Sequence, residues 1–216
     1  MLVAMAVLTI VSVIVIAGYT KMNNQLATSN LAYDIALVFR QAQVYSSSSK
    51  GSAELHKTVS SGKDIYGVRF ASLYDNFNNI SGENKFILFS ENDNDGQDRY
   101  IDQYRCGTGT YLNEVPTDLK GCEDSAEYDS TYSISGRSKI KSFCVYKGVN
   151  EFCYNFDTLS GDILYADVSF YGPFVSSYIK TDIANDYDYL KVTVVSAYGD
   201  YERKVLIYKT GQIDVK

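Results

Sequence analysis

The sequence predicts an α+β fold in which a long N-terminal helix, membrane-spanning and then amphipathic, packs on an antiparallel β-sheet or two-sheet β-sandwich domain. Three observations support this prediction. Residues 1–20 contain no charged side chain, residues 21–46 place apolar side chains at helical spacing, and residues 47–216 show short apolar or aromatic runs between turn residues. These segments are the predicted transmembrane half of the helix, its amphipathic half and an extracytoplasmic β-rich globular domain.

Overall charge and composition restrict the class of function. Among 216 residues, 20 Lys and Arg stand against 26 Asp and Glu, which gives a net charge of −6. Phosphate neutralisation requires clustered basic residues, so DNA is not expected as a partner. The chain has a single His, and its sequence contains no nucleophile elbow, phosphate loop or catalytic triad. We therefore expect no enzymatic activity and no catalytic residue.

The first segment, MLVAMAVLTIVSVIVIAGYT, has the length of a membrane helix. A bilayer core of about 30 Å requires about 20 apolar residues. The side chains expected to pack in the membrane and in an assembly are Leu2, Val3, Met5, Leu8, Val11 and Val15. A cleaved signal peptide is the second interpretation, although no Lys or Arg precedes the apolar run.

The second segment continues the helix without Pro or Gly. Leu31, Ile35, Val38 and Ala42 follow one another at the spacing of one helical face, which predicts that this face packs on a sheet. We expect the helix to end at the serine run that begins at residue 46.

The remainder of the chain shows the alternation typical of strands, with β-branched and aromatic residues between turn signals. Strands are predicted at Ile65–Phe70, Lys85–Phe89, Ile140–Tyr146, Glu151–Phe156, Gly161–Phe170, Leu190–Ala197, Tyr201–Tyr208 and Gln212–Val215. Loops are predicted at 46–62, 107–131 and 172–188. The last three strands are expected to form an antiparallel meander.

Five stretches resemble recurring patterns of one superfamily: MLVAMAVL at 1–8, LAYDIALVFRQAQVY at 31–45, YGVRF at 66–70, FILFSENDNDG at 86–96 and RKVLIYKTGQIDV at 203–215. They are similar to the type IV pilins and pseudopilins, most of all to FimT-type minor pilins and the H-type minor pseudopilins of type II secretion. The resemblance implies a helix that resides in the bilayer and later bundles with copies of itself in a filament.

The family's N-terminal pattern also contains a cleavage Gly, a first Phe and a glutamate, and none of these precedes Met1 here. In the family, that glutamate pairs with the terminal amine of a neighbouring subunit and neutralises a buried charge. If the true start lies upstream, we expect a Glu directly before Met1. The alternative is a divergent member that cannot be processed.

The chain contains four cysteines, namely Cys106, Cys122, Cys144 and Cys153. They include no CxxC pair, which argues against zinc, and an exported domain favours disulfides. Cys144 and Cys153 flank a predicted hairpin turn at 148–149 and are expected to pair across it, leaving Cys106 to pair with Cys122. Two other connectivities remain open.

Residues 91–96, ENDNDG, resemble the start of a calcium-binding loop because acidic side chains alternate before a glycine. The candidate ligands are Glu91, Asp93, Asp95 and, at the twelfth position, Asp102. A polar hairpin turn is the alternative. No other cofactor is expected.

Together these features predict a pilin-like structural subunit, a minor pilin or pseudopilin of a type IV pilus or type II secretion filament. Its expected partners are other pilin or pseudopilin subunits, the inner-membrane assembly machinery and the lipid bilayer. Its expected location is the inner membrane and then a cell-surface or periplasmic filament. The alternatives are a non-polymerising single-pass membrane protein with an extracytoplasmic ligand-binding domain, and a secreted enzyme or lectin.

Overall fold

The computed structural model describes residues 2–48, 64–72, 84–92, 128–134, 136–171, 176–184 and 186–216. Helix α1 spans Leu2–Ser47. The strands are β1 (Asp64–Ala71), β2 (Lys85–Asn92), β3 (Tyr128–Ser133), β4 (Ser138–Lys147), β5 (Asn150–Asn155), β6 (Ser160–Gly161), β7 (Tyr165–Tyr171), β8 (Ser177–Thr181), β9 (Tyr189–Ser196), β10 (Glu202–Tyr208) and β11 (Ile213–Val215).

The strands form two antiparallel sheets. The five-stranded sheet has the order β3-β2-β1-β7-β8, and the six-stranded sheet has the order β11-β10-β9-β4-β5-β6. Strands β9, β10 and β11 are consecutive neighbours, so the predicted C-terminal meander is present. The short turn after β6 carries the chain from the six-stranded sheet into β7 of the five-stranded sheet.

Helix α1 packs against strands of both sheets. Phe39 of the helix stacks on Phe70 of β1, with ring centroids 6.0 Å apart, and meets Phe170 of β7 edge-on at 6.4 Å. Phe70 in turn lies 6.4 Å from Phe143 of β4, which links the two sheets. The main core is therefore a layer between one face of α1 and the inner faces of the sheets.

The four positions predicted to face the sheet are all buried: Leu31, Ile35, Val38 and Ala42. They belong to the same core cluster as the inward-facing residues of both sheets. The spacing of apolar side chains in residues 31–42 thus reflects real contacts of the helix.

The predicted fold class, α+β, was wrong in its balance of helix and strand, although α1 does pack on the sheets. The structure is predominantly antiparallel β, with strands over 47% of the described residues, where the sequence predicts α+β with a membrane-spanning and then amphipathic helix. Strand β8 lies inside a predicted loop and β3 overlaps another, while the predicted strand Gly161–Phe170 divides between β6 and β7. Strands β3, β6 and β8 lie at sheet edges, where polar residues are tolerated and hydrophobic alternation is weak.

The transmembrane half of the predicted helix, residues 1–20, stays a prediction, because several of its side chains, among them Leu2, Val3 and Val15, lie outside the described part of the structure. In the part of the chain that the structure describes, no helix has both the length and the apolar content required to cross a membrane.

Candidate assembly surface

Helix α1 presents two different faces over its second half. At about 100° per residue, the buried side chains and a row of exposed apolar side chains lie on opposite sides of the helix. We call this row the outer stripe; it consists of Met22, Leu26, Tyr33, Leu37 and Val44. These side chains are 54–61% exposed, and they follow one another at alternating intervals of four and seven residues.

Polar contacts fix the rotation of the helix on the sheets. Thr28 Oγ1 and Ser138 Oγ share a hydrogen bond of 3.0 Å between buried groups. Near the other end, Gln43 Nε2 donates to the carbonyl oxygen of Gly211 at 2.6 Å, and the Tyr132 hydroxyl donates to Gln41 Oε1 at 3.1 Å. Because these bonds attach the inner face at both ends, the outer stripe is held away from the sheets.

The first turns of α1 are also apolar on the outside. Among the residues predicted to pack in an assembly, Met5, Leu8 and Val11 have exposed side chains. Their neighbours Val7, Ile10 and Val13 are exposed as well. The side chains of Leu2, Val3 and Val15 lie outside the described part of the structure. A helix whose solvent side is apolar differs from the usual surface helix, which is polar there.

The hairpin of β4 and β5 contains a disulfide. Cys144 and Cys153 are direct cross-strand partners with Cα atoms 4.0 Å apart, and their sulfurs are bonded. The turn consists of Gly148 and Val149, where Gly148 has a φ of 59° that suits glycine. This is the pairing that the sequence predicts. Cys106 and Cys122 lie outside the described residues.

Three polar side chains, those of Tyr146, Glu151 and Lys191, hydrogen-bond to one another beside this disulfide. Lys191 Nζ donates to Glu151 Oε1 at 2.8 Å, and the Tyr146 hydroxyl hydrogen-bonds to both side chains. The hydrogen bond from Lys191, followed by that from Tyr146, holds the pKa of Glu151 below its usual value. Burial, together with the bond to Glu151, raises the pKa of Tyr146.

Three tyrosines form a row across the same face of the six-stranded sheet. The rings of Tyr146 and Tyr189 stack with centroids 4.3 Å apart, and Tyr208 follows at 5.5 Å from Tyr189. Since the three residues are register partners on β4, β9 and β10, the row reports the alignment of these strands.

Two groups of side chains are candidates for binding a metal ion. Ligand atoms of Cys144, Glu151 and Cys153 lie within 4.8 Å of one another, but disulfide sulfurs offer no thiolate to a metal. For the predicted calcium loop, the structure places the backbone of Glu91 in β2 opposite Ile65. Its side chain, and Asp93, Asp95 and Asp102, lie outside the described part, so calcium binding stays a prediction.

The outer stripe is a candidate assembly surface that the sequence prediction did not identify. Its signal is present in the sequence, because apolar residues at positions 22, 26, 33, 37 and 44 share one side of a helix. The buried positions from Leu31 to Ala42 lie in the same segment as the outer stripe. The segment therefore carries apolar residues on two faces, and the sequence prediction used only one of them.

Comparison with known proteins adds no further identification: no family model, no curated protein and no solved structure matches this chain.

Proposed function

We propose that this protein is a pilin-like structural subunit, a minor pilin or pseudopilin of a type IV pilus or type II secretion filament, and that it assembles through α1. The outer stripe is the observation that supports this proposal. Its partners are other pilin or pseudopilin subunits, brought together by the inner-membrane assembly machinery. The proposed role is structural and includes no catalytic step.

The stripe favours association because it leaves large apolar side chains in water. Burying the exposed part of each one contributes on the order of 1 kcal/mol. Tyr33 and Leu37, at the centre of the stripe, are the most exposed of the five. A continuous apolar surface on an otherwise docked helix is typical of an interaction site.

The test is a charge placed in the stripe without disturbing the fold. Leu37→Lys changes an exposed side chain, so the free energy of unfolding should remain within about 0.5 kcal/mol of the unchanged chain. In the filament, an unpaired charge among apolar helices costs several kcal/mol, which should abolish incorporation. Incorporation is measured as recovery of the chain in the sheared, sedimented filament fraction of producing cells.

Val149→Lys is the matched control. Val149 is an apolar residue with 99% of its side chain exposed, and it lies at the β4–β5 turn rather than on α1. This variant should enter filaments normally. If Leu37→Lys is incorporated as well as Val149→Lys, or if the unchanged chain never sediments with filaments, the non-polymerising membrane protein becomes the better interpretation.

A further inference from the structure

Strand β10 runs alongside α1 in the same direction. Near the start of the strand, Arg203 Nε donates to Ser29 Oγ at 3.4 Å, and beyond its end the carbonyl oxygen of Gly211 accepts from Gln43 Nε2 at 2.6 Å. The two helix residues are about 21 Å apart along the axis, which is comparable with the length of β10. The β9–β10 turn, residues 197–201, therefore lies toward the N-terminal, apolar end of α1.

Tyr198 extends from this turn into solvent, with 76% of its side chain exposed. Thr28 of α1 bonds to Ser138, which pairs with Ser196 of β9. Tyr198 follows Ser196 by two residues, which cover about 7 Å of extended chain. The seven helical residues from Lys21 to Thr28 cover about 10 Å, so the turn lies at a level between them.

Two exposed cations lie at the same end of the domain. Within the part of the chain that the structure describes, neither Lys21 nor Arg137 takes part in an ion pair or a side-chain hydrogen bond. The carbonyl oxygen of Arg137 accepts from the N–H of Ala197 at 2.7 Å, which places Arg137 beside the turn. By contrast, Lys139 of β4 is held by Asp157 at 2.9 Å. Lys21 and Arg137 are therefore available to an anion outside the chain.

The carboxylate of the turn does not cancel this positive charge. Asp200 accepts a hydrogen bond from the hydroxyl of Ser196, which holds the carboxylate against the end of β9. A third cation, the guanidinium of Arg203, lies 5.2 Å from the centre of the Tyr201 ring. This end of the domain thus combines an excess of positive charge with tyrosine rings.

The segment of α1 next to this end is apolar and uncharged. Residues 1–20 contain no charged side chain, and Leu8, Val11 and Tyr19 are exposed. Along the axis of α1, exposed apolar side chains are thus followed by tyrosines and unpaired cations. A bilayer presents hydrocarbon and then polar headgroups in the same order, and tyrosine and basic side chains are favoured at the headgroup level.

We propose that Tyr19, Lys21, Arg137 and residues 197–201 form a membrane-surface site, the basal surface, which binds the anionic headgroups of a lipid bilayer. Lys21 and Arg137 bind lipid phosphates, while the ring of Tyr198 lies among the headgroups. The contact requires a bilayer beneath the domain and sets no depth for α1. It belongs to the unassembled subunit and shares no residue with the outer stripe, so it goes beyond the proposed assembly role.

A bilayer fits the basal surface better than an acidic protein does. An acidic protein would pair with Lys21 and Arg137 but would leave the exposed apolar side chains of α1, such as Leu8 and Val11, in water. A bilayer that contains anionic lipids covers these side chains and neutralises the cations together.

The first experiment uses the fact that the chain contains no Trp. Tyr198→Trp introduces a single indole, and the full-length variant is mixed with vesicles of phosphatidylcholine containing about 30% phosphatidylglycerol. Lipids brominated near the headgroup end of the acyl chain should quench its fluorescence about twofold or more, and the emission should shift to shorter wavelength.

Val149→Trp is the control, because Val149 is 99% exposed and follows the opposite end of β4. Its fluorescence should show neither change. Equal quenching of the two variants, or no quenching of Tyr198→Trp, would overturn the inference.

The second experiment reverses the two unpaired cations. Lys21→Glu/Arg137→Glu should raise the lipid concentration for half-maximal flotation with the anionic vesicles about tenfold or more. With pure phosphatidylcholine vesicles, the variant and the unchanged chain should float alike. Lys147→Glu/Lys209→Glu changes the net charge equally at the other end of the six-stranded sheet and should have a much smaller effect. An equal loss in both variants would assign binding to net charge and overturn the site.

Vesicle binding and filament incorporation are separate readouts. If the unchanged chain does not float with anionic vesicles, the basal surface is wrong, while Leu37→Lys still tests assembly. If the chain never enters filaments but Tyr198→Trp is quenched and Val149→Trp is not, the basal surface stands and the proposed assembly role fails.

Discussion

The two sheets differ in how deeply their ion pairs are buried. In both sheets the paired residues occupy strand positions that alternate with core residues. In the five-stranded sheet, Arg69 of β1 and Asp167 of β7 face each other with 1% and 0% of their side chains exposed, and Arg69 Nε lies 2.8 Å from Asp167 Oδ1. In the six-stranded sheet, Lys191 and Glu151 form a pair that is 22% and 44% exposed.

Both pairs have a nitrogen–oxygen distance of 2.8 Å, but their contributions to stability are expected to differ because their burial differs. Removal of one partner from a buried pair leaves an isolated charge in a low-dielectric environment, which is costly. An exposed pair loses little because water solvates the remaining charge. The guanidinium of Arg69 also lies 4.5 Å from the centre of the Tyr165 ring, which adds a cation–π contact to the buried pair.

The largest effect is expected from breaking the buried pair. Asp167→Asn should lower the free energy of unfolding by about 3–5 kcal/mol, because Arg69 then loses the buried negative charge that lies 2.8 Å from its Nε. Urea denaturation measures this loss. The double variant Arg69→Met/Asp167→Leu is the control, since it removes both charges and should be less destabilised than Asp167→Asn. A loss below about 1 kcal/mol for Asp167→Asn would contradict the assigned burial of the pair.

An intermediate effect is expected from the disulfide beside the exposed pair. Cys144 and Cys153 are 9 residues apart, and closing a loop of this length stabilises a protein by about 2.5 kcal/mol through the unfolded chain. Cys144→Ser/Cys153→Ser should lose about this amount in urea denaturation. Equal stability of this variant and the unchanged chain would show that the hairpin needs no cross-link.

The smallest effect is expected from the exposed pair itself. Glu151→Gln should cost less than about 1 kcal/mol at neutral pH. Hydrogen bonding by Lys191, and then by Tyr146, lowers the folded-state pKa of Glu151, so its contribution is present above the pKa of an unfolded glutamate, about 4.3. It should disappear as pH falls through the folded pKa.

Unfolding curves of both chains between neutral pH and acid measure this dependence. The stability difference between the unchanged chain and Glu151→Gln should shrink toward zero in acid. A difference that grows in acid would show that Glu151 does not bind its proton more weakly in the folded protein.

Local signals account for what the sequence predicts correctly. The inward face from Leu31 to Ala42 follows from spacing alone, and the pairing of Cys144 with Cys153 follows from a two-residue turn midway between them. The four helix positions lie within twelve residues of one another, and the two cysteines are 9 residues apart. Helix and hairpin geometry over such short separations is enough to predict both features.

Long-range pairing explains what the sequence does not predict. Arg69 and Asp167 are 98 residues apart, and only the register of β1 with β7 brings them together. Strands β3, β6 and β8 lack a strong pattern because each lies at a sheet edge. These edge strands are therefore the part of the β-structure that the sequence underestimates.

The row of Tyr146, Tyr189 and Tyr208 has an optical consequence. The chain contains 20 Tyr and no Trp, so phenol rings dominate its near-ultraviolet absorption and fluorescence. Two rings held 4.3 Å apart and inclined by 10° are close enough for their electronic transitions to couple. The near-ultraviolet circular dichroism of the protein therefore contains an intrinsic, label-free signal from the alignment of β4 with β9.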